Sequence, residues 1–598
     1  MRSPDRFRRV VIVGAGLGGV ATAVRLLQFA REPVEVVLVE QRPEHRNAGV
    51  AYHSAGNPWH HVFNIQAGRM AMFREDVDDF VAWANDEADR ADWPAEWRDF
   101  TFTEPGPAPR RIYADYLAER LAAAAREATD GVRLVEVDGE VVDVKGEGDL
   151  VRVVIGDSPD AGTILADHVV IATGLQERDL PFAADVADHP AFVRHPYSQA
   201  GVERILGIHP EAAVAIVGTL LSAYDSAALL LRRGHTGKIH MISRSGITLR
   251  TYPTDHQHQV LDLPSPKLHN DGYEGRDNIV RLLCEEWERI CAIVEDEHPD
   301  VAKAVVTERV SKSWEPHLPE VLARIPSPDL RALLDSHSSL LATLRVSAVA
   351  YTTEIVHAAM ADGRISLVTG KVDRIATTAT GGLTVFVGDT RGDTGIDADL
   401  VIANFGREPD YERVRSTLWQ NLLRAGTAVP HRRTGRGVEV DDLGTLVGPT
   451  GTASARVSVV GAPREGDEIV RYGRMGAFAF NLAAIKNHSV GVAAAVLRRL
   501  ESCYEDRPVD LAGAPDSAVR QAFERSVMLD VHRMSTRRRA NREVLAARLD
   551  ESLSAIREAM PAPIADQALR HAVNTAAVIK LNDLSVTPRE LRSVLELD

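Results

Sequence analysis

Two glycine-rich turns, about two hundred residues apart, constrain this chain more than any other feature. The first is Val11-Ile12-Val13-Gly14-Ala15-Gly16-Leu17-Gly18-Gly19; the second is Val214-Ala215-Ile216-Val217-Gly218-Thr219-Leu220-Leu221-Ser222-Ala223. Each follows an apolar run of strand length and opens a segment with helical periodicity. In the first, Gly14 permits the tight turn, Gly16 lets backbone approach a pyrophosphate, and Gly19 allows close helix–strand packing. The helix then offers its N-terminal N–H groups to the anion. Residues 34–39 read as the next strand, and Glu40 at its end is placed to accept hydrogen bonds from a ribose hydroxyl pair.

The second turn is degraded. Gly218 and Ser222 remain, but Leu220 takes the second glycine position and Ala223 the third. Alanine is a tolerable packing substitute, whereas a leucine hinders close backbone approach to a pyrophosphate. The following strand, residues 239–243, ends in Ser243-Arg244-Ser245 instead of an acid. A guanidinium and hydroxyls suit a 2′-phosphate, so NADPH fits better than NADH. The competing reading is a relict domain that binds no nucleotide. Two such turns in this order imply a flavin (FAD) held by the first and a nicotinamide delivered by the second, hence redox chemistry.

Charge and cysteine content narrow the class. With 69 basic and 85 acidic residues the formal net charge is −16, which argues against nucleic acid and anionic membrane as partners. Only Cys284, Cys291 and Cys503 are present, with no Cys-x-x-Cys pair, which excludes dithiol relay. Cys284 and Cys291, seven apart, read as core residues on one helix face. Arg6, Arg8 and Arg9 before an apolar run mimic a signal peptide, but the glycine spacing accounts for them better. No apolar run reaches the ~18 residues of a membrane span, so a cytoplasmic protein is expected.

The rest of the chain alternates small sheets and helices. Residues 76–90 and 112–128 have helical periodicity. Residues 132–144 and 151–155 alternate like a small antiparallel sheet, and 364–387 like another. Asp167–Gly174 is a strand ending in a tight turn, and Asp399–Gly406 repeats it. Residues 275–345 read as a helical insertion. A strand at 456–461 and a helix opening at Gly476 precede a nearly all-helical last hundred residues, whose Arg537-Arg538-Arg539 reads as a solvated face. His60-His61 and His256-Gln257-His258 lack carboxylate or thiolate neighbours at ligand spacing, so no metal is expected. Ser222 and Ser226 lack a nucleophile-elbow context.

These blocks resemble two-dinucleotide-binding flavoproteins related to the flavin-dependent N-hydroxylating monooxygenases. The carrying residues are the two turns, Asp167–Gly174, Ser243-Arg244 and Asp399–Gly406. Gly49-Val50-Ala51-Tyr52 and His61-Val62-Phe63-Asn64-Ile65-Gln66-Ala67-Gly68-Arg69-Met70 look like the flavin-contacting segment of a bacterial branch that includes enzymes similar to nitrosuccinate synthase, an L-aspartate N-monooxygenase. The resemblance covers roughly residues 8–490. It implies that NADPH reduces FAD, that a C4a-hydroperoxyflavin forms with molecular oxygen, and that a substrate amine takes the distal oxygen. No acid–base pair or metal is required; water must be kept out.

The resemblance also suggests roles. Asn64 and Gln66 are the catalytic candidates, amides that hold the reacting oxygen or the nicotinamide, or that only satisfy loop backbone. Arg69 meets flavin phosphate or substrate carboxylate, or caps a helix. Arg111, beside Tyr113 at a helix start, matches a position used near FAD. Thr173 and Gly174 close the sheet around the nucleotide, and Gly461 and Gly476 bring a helix N-terminus to the flavin pyrimidine. A dicarboxylic substrate needs cations, for which Arg250, Arg464, Arg471 and Lys486 are candidates.

The expected architecture is α/β, with two Rossmann-like dinucleotide-binding domains for FAD and NADPH, a helical insertion and a helical C-terminal extension. Residues 1–205 and 401–500 form the FAD domain, 206–400 the NADPH domain, and 501–598 an extension that covers the molecule or makes a homodimer. The expected activity is N-hydroxylation of a small amino acid, L-aspartate first. Oxygenation of sulfur or carbon, and a flavin reductase or FAD-binding protein without oxygenase activity, are the alternatives.

Overall fold

The computed structural model describes residues 7–500, apart from 31, 74–75, 157–161, 257–260, 262, 269–271, 345–346, 390–391, 405 and 477–480. The expected C-terminal helical extension, with Cys503 and Arg537-Arg538-Arg539, therefore lies outside the described residues.

Two open sheets organise the chain. The first runs in the order Thr445–Val447, Ala453–Val459, His168–Ile171, Arg8–Val13, Val34–Glu40, Val132–Asp138, parallel except for its Thr445–Val447 edge. Its centre is made of continuous apolar runs because both faces are covered. Val10, Val11 and Ile12 are wholly buried, each contributing about 1.5–3 kcal/mol. The helix Leu17–Phe29 covers one face and packs against Ile112–Arg126 and the late helix Leu482–Leu500. A buried aromatic group of Phe63, Phe80, Trp83, Tyr113 and Tyr116 extends this core under residues 49–73.

The second sheet, all parallel, runs Ile365–Thr369, Ile239–Ser243, Val214–Val217, Leu400–Ala403, Phe192–Val193. Leu221–Arg232 and Ala350–Ala361 pack on it. Three-stranded antiparallel meanders follow each half, at Val141–Ala166 and Lys371–Ala398.

Four sequence expectations are corrected. Val132–Asp138 is the parallel edge of the first sheet, and Ile365–Thr369 is the parallel edge of the second; neither belongs to a meander. A half-exposed edge strand alternates just as a meander strand does. Phe192–Val193 and Leu400–Ala403 belong to the second sheet, so its strands cross the expected boundaries at 205 and 400. The late α-helix is Leu482–Leu500, and residues 477–480, over which a helix opening at Gly476 is expected, lie outside the described residues. Cys284 is exposed on Arg276–Glu297, although Cys291 is half-buried as a core residue would be.

Between residues 276 and 344 the helices Arg276–Glu297, Lys303–Trp314, Leu318–Arg324 and Ser327–Leu344 share a core that includes Ile290, Val294, Val310 and Trp314. This insertion also touches the first unit. Arg433 caps the end of Leu318–Arg324 by donating to the Leu322 and Ile325 carbonyls at 2.6 and 2.8 Å. Among the described residues no helix is long and apolar enough to cross a membrane.

Candidate dinucleotide and flavin site

The first turn is built for an anion. Gly14 has φ 101°, and a Cβ there would lie 2.6 Å from the Ala172 carbonyl oxygen. A Cβ on Gly19 would lie 1.8 Å from the Gly14 oxygen, so helix and turn touch through backbone alone. Gly16 occupies the N-cap of Leu17–Phe29, with no side-chain cap and no acid in the first turn. The first N–H groups of a buried helix are thus left for a ligand. Glu40, buried at the strand end, accepts from the Ala15 N–H at 2.8 Å and the Arg42 N–H at 3.1 Å. A carboxylate has about four acceptor positions, so lone pairs remain for a ribose.

Residues 61–70 share the first core with this turn and are zipped to 104–110 through backbone: Phe63 to Ala108, Ala67 to Gly106, Gly68 to Glu104 and Arg110 to His61. Several buried polar atoms between residues 47 and 66 have no protein partner: Asn47 Oδ1, Asn57 Oδ1 and Gln66 Nε2. Buried polar groups are nearly always satisfied, so these atoms are open to the polar groups of a ligand. Burial pulls His61 down to about 4, with Arg110 adding to the effect against Asp225, so the ring is neutral. Asn64 is half-buried. Its carbonyl accepts from the Val349 N–H at 3.1 Å, and its amide side chain has no partner among the described residues.

The second turn keeps the backbone of the first. Gly218 has φ 132°, and a Cβ there would lie 2.8 Å from the Asn404 oxygen. Leu220 is the N-cap of Leu221–Arg232, again with no side-chain cap and no acid in the first turn. Its side chain is half-buried and packs on the second core. Ser243 stands at the strand position that Glu40 takes in the first unit, and its hydroxyl meets Thr219 Oγ1 at 2.9 Å. Ser222 is half-buried, its carbonyl accepting from Ser226. Arg244 is exposed with no partner among the described residues, as a phosphate-binding guanidinium would be.

The units meet at residues 60–70 and 110. Asp225, on the helix of the second turn, pairs with Arg110 at 2.7 Å and accepts from the Tyr197 hydroxyl at 2.6 Å. Arg69 reaches Glu308 of the insertion at 3.1 Å. Sequence reasoning missed Asp225, Arg110, Tyr197, Tyr252 and Glu308, because each is paired across a long stretch of chain and no local spacing announces it.

Other expected contacts are arranged differently. Arg111 lies over the Trp59 ring, 4.6 Å from its centre. The Thr173 hydroxyl accepts from Trp419 Nε1 at 3.0 Å, while Gly174 is exposed at φ 66°. The Gly461 N–H donates to His488 Nδ1 at 3.1 Å, so it is not offered to a flavin. The following helix, Glu465–Tyr472, carries Glu465, Asp467 and Glu468 in its own first turn, which complements its dipole and makes that end unfavourable for an anion. Gly476 lies beyond that helix at φ 64°.

The cationic set expected for a dicarboxylate is not gathered into one open site. Arg464 is buried against Asp467 at 2.7 Å, and Arg471 pairs with Asp467 and Asp442. Arg250 is exposed and donates to Thr307 Oγ1 at 2.5 Å. Lys486 is half-buried on Leu482–Leu500 and already engaged.

Residues 11–176 match a family described as FAD-NAD(P)-binding. No curated protein sequence matches the chain. Among solved structures, the reduced form of ornithine hydroxylase from Pseudomonas aeruginosa is similar, with 15% identity and TM-score 0.52, over 83% of this chain and 100% of that one. L-lysine 6-monooxygenase from Pseudomonas syringae matches with 15% identity and TM-score 0.50, over 83% and 100%. The FAD-bound cadaverine monooxygenase of desferrioxamine biosynthesis from Erwinia amylovora matches with 11% identity and TM-score 0.50, over 82% and 95%. At these identities the likeness establishes the fold.

Proposed function

We propose that this protein is an FAD- and NADPH-dependent monooxygenase that N-hydroxylates the amine of a small amino acid. The observation that carries the reading is the pair of uncapped, acid-free helix N-termini, one on each parallel sheet, joined at a segment rich in unpartnered buried polar atoms. The similar structures are named for ornithine, lysine and cadaverine, all amines, which supports the reaction class.

In this reading Gly14, Gly16, Gly19 and Glu40 hold the FAD pyrophosphate and ribose. Gly218, Ser222, Ser243 and Arg244 receive NADPH, with Arg244 on its 2′-phosphate. Bound flavin supplies two-electron chemistry with oxygen. Gln66 donates an N–H to the flavin edge or to oxygen held there, and Asn64 orients the amine nitrogen. His61 is buried and uncharged, and the surrounding aromatic core keeps out water that would divert the oxidant.

L-aspartate is the first substrate to test, on the resemblance of residues 61–70. Its carboxylates would need cations other than Arg464 and Arg471, which Asp467 and Asp442 already pair. The test is aerobic turnover of the FAD-loaded protein with NADPH and, in turn, L-aspartate, L-ornithine, L-lysine and cadaverine, with products followed by mass. An N-oxygenated amine supports the reading. NADPH consumption that gives hydrogen peroxide with every amine contradicts N-hydroxylation and favours the reductase alternative that Leu220 keeps open.

A further inference from the structure

The helical insertion sends one carboxylate into the flavin-facing segment. Glu308, on Lys303–Trp314, is 3% exposed. One of its oxygens meets Arg69 Nη1 at 3.1 Å, and the other accepts from the Tyr252 hydroxyl at 2.6 Å. The same Arg69 nitrogen lies 3.4 Å from Tyr252 Oη and 3.5 Å from Gln66 Oε1. Behind them Tyr252 stacks on His256, which Arg309 approaches at 3.0 Å.

Elementary hydrogen-bond chemistry gives this chain of contacts a direction. A guanidinium has donors only, so an amide beside it must turn its oxygen inward. Arg69 thereby fixes the flip of Gln66 and sends Nε2 the other way. That nitrogen is buried and has no acceptor. A buried donor without a partner is costly, and an acceptor on a bound ring would recover that cost. Arg69 can hold Gln66 in this sense only while it is itself held, and Glu308 with Tyr252 does that. The clamp comes from the unit that carries the second turn, whereas Gln66 lies in the first.

We propose that Glu308 is a positioning residue of the flavin site: by clamping Arg69 it sets the Gln66 amide so that its N–H faces the bound ring, which makes the helical insertion part of that site. The proposal rests on the reading that the first turn and residues 49–70 hold FAD. It assigns the insertion a role that a surface decoration would not have, and it predicts coupling between two residues that do not touch.

The experiment compares full-length wild type, Glu308→Gln, Gln66→Leu and the double variant, each titrated with FAD. The visible absorption of bound flavin, its dissociation constant and Tm are read for all four. The expected result is that Glu308→Gln shifts the flavin absorption bands in the same direction as Gln66→Leu and raises the FAD dissociation constant up to about tenfold. The double variant should be no worse than Gln66→Leu alone, because Glu308 acts through Gln66. Additive effects overturn the proposal. So does a lowered Tm for Glu308→Gln with an unchanged flavin spectrum, since that is the signature of packing alone. If wild type binds no FAD, the cofactor reading fails as a whole, an outcome distinct from failure of the Glu308 role.

Discussion

The two glycine turns share a backbone and differ in what lies over it. In both, the first glycine donates its N–H at 2.8 Å to a strand-end carbonyl, that of Val39 or of Ile242. In both, a Cβ at that glycine would run into the carbonyl of the neighbouring strand's end, Ala172 or Asn404. The N-cap residues have similar extended dihedrals, −77°/−170° for Gly16 and −109°/−160° for Leu220. The first glycine is therefore demanded by packing, and any chain with this crossover needs it. The second is demanded by close approach: in the first unit a Cβ on Gly16 would lie 3.3 Å from the Gly49 Cα, and a ligand must reach the same backbone. Losing it leaves the fold intact and narrows the space above the turn. The strand ends differ likewise: Glu40 pins the Ala15 N–H with a carboxylate, whereas Ser243 meets the Thr219 hydroxyl.

The largest expected effect lies at the third position. Gly19→Ala places a methyl group into the Gly14 carbonyl and should cost about 3 kcal/mol, with loss of FAD binding, by denaturant unfolding and FAD titration. The equivalent residue of the second unit is already Ala223, and Ala223→Gly should cost only about 1 kcal/mol. Equal losses at the two positions would break the comparison.

Acid should separate the units next. His61 is held at about 4 instead of its ordinary value near 6.5. Because its folded pKa is depressed, its contribution is fully present above pH 6.5 and is lost as pH falls towards 4, about 3 kcal/mol in all. The Thr219–Ser243 hydroxyl pair of the second turn does not titrate there. His61→Phe should make the pH dependence of Tm between 4 and 6.5 shallower without abolishing it, because His45, His256 and His488 are held near 4 as well; an unchanged profile would remove His61 from the account.

Two smaller effects sharpen the cofactor assignment. Arg244→Ala should weaken NADPH by about 2 kcal/mol, roughly 30-fold, and leave NADH affinity nearly unchanged. Leu220→Gly should tighten NADPH about tenfold while lowering Tm, because Leu220 packs on the second core.

Much of this was legible in the chain, for reasons that can be named. Strand–turn–helix order is local, so Arg8–Val13, Leu17–Phe29 and Val34–Glu40, and their counterparts from Val214 to Ser243, follow from apolar runs and glycine spacing. Sheet membership is not local, and the alternation of Val132–Asp138 and Ile365–Thr369 does not reveal their parallel partners because an edge strand alternates whatever it pairs with. The neutralised arginines were readable in principle. Arg464, Asp467 and Arg471 stand at i, i+3 and i+7, the spacing of ion pairs along a helix. The Arg69–Glu308 and Arg110–Asp225 pairs had no such signal.

The division of labour between the turns is tested most directly by mixing FAD-loaded protein with NADPH without oxygen and following flavin absorbance. The account predicts saturable bleaching by NADPH, faster than by NADH, that loses this preference in Arg244→Ala. A flavin that stays oxidised in excess NADPH would contradict it, leaving the second turn a folded relict of the first.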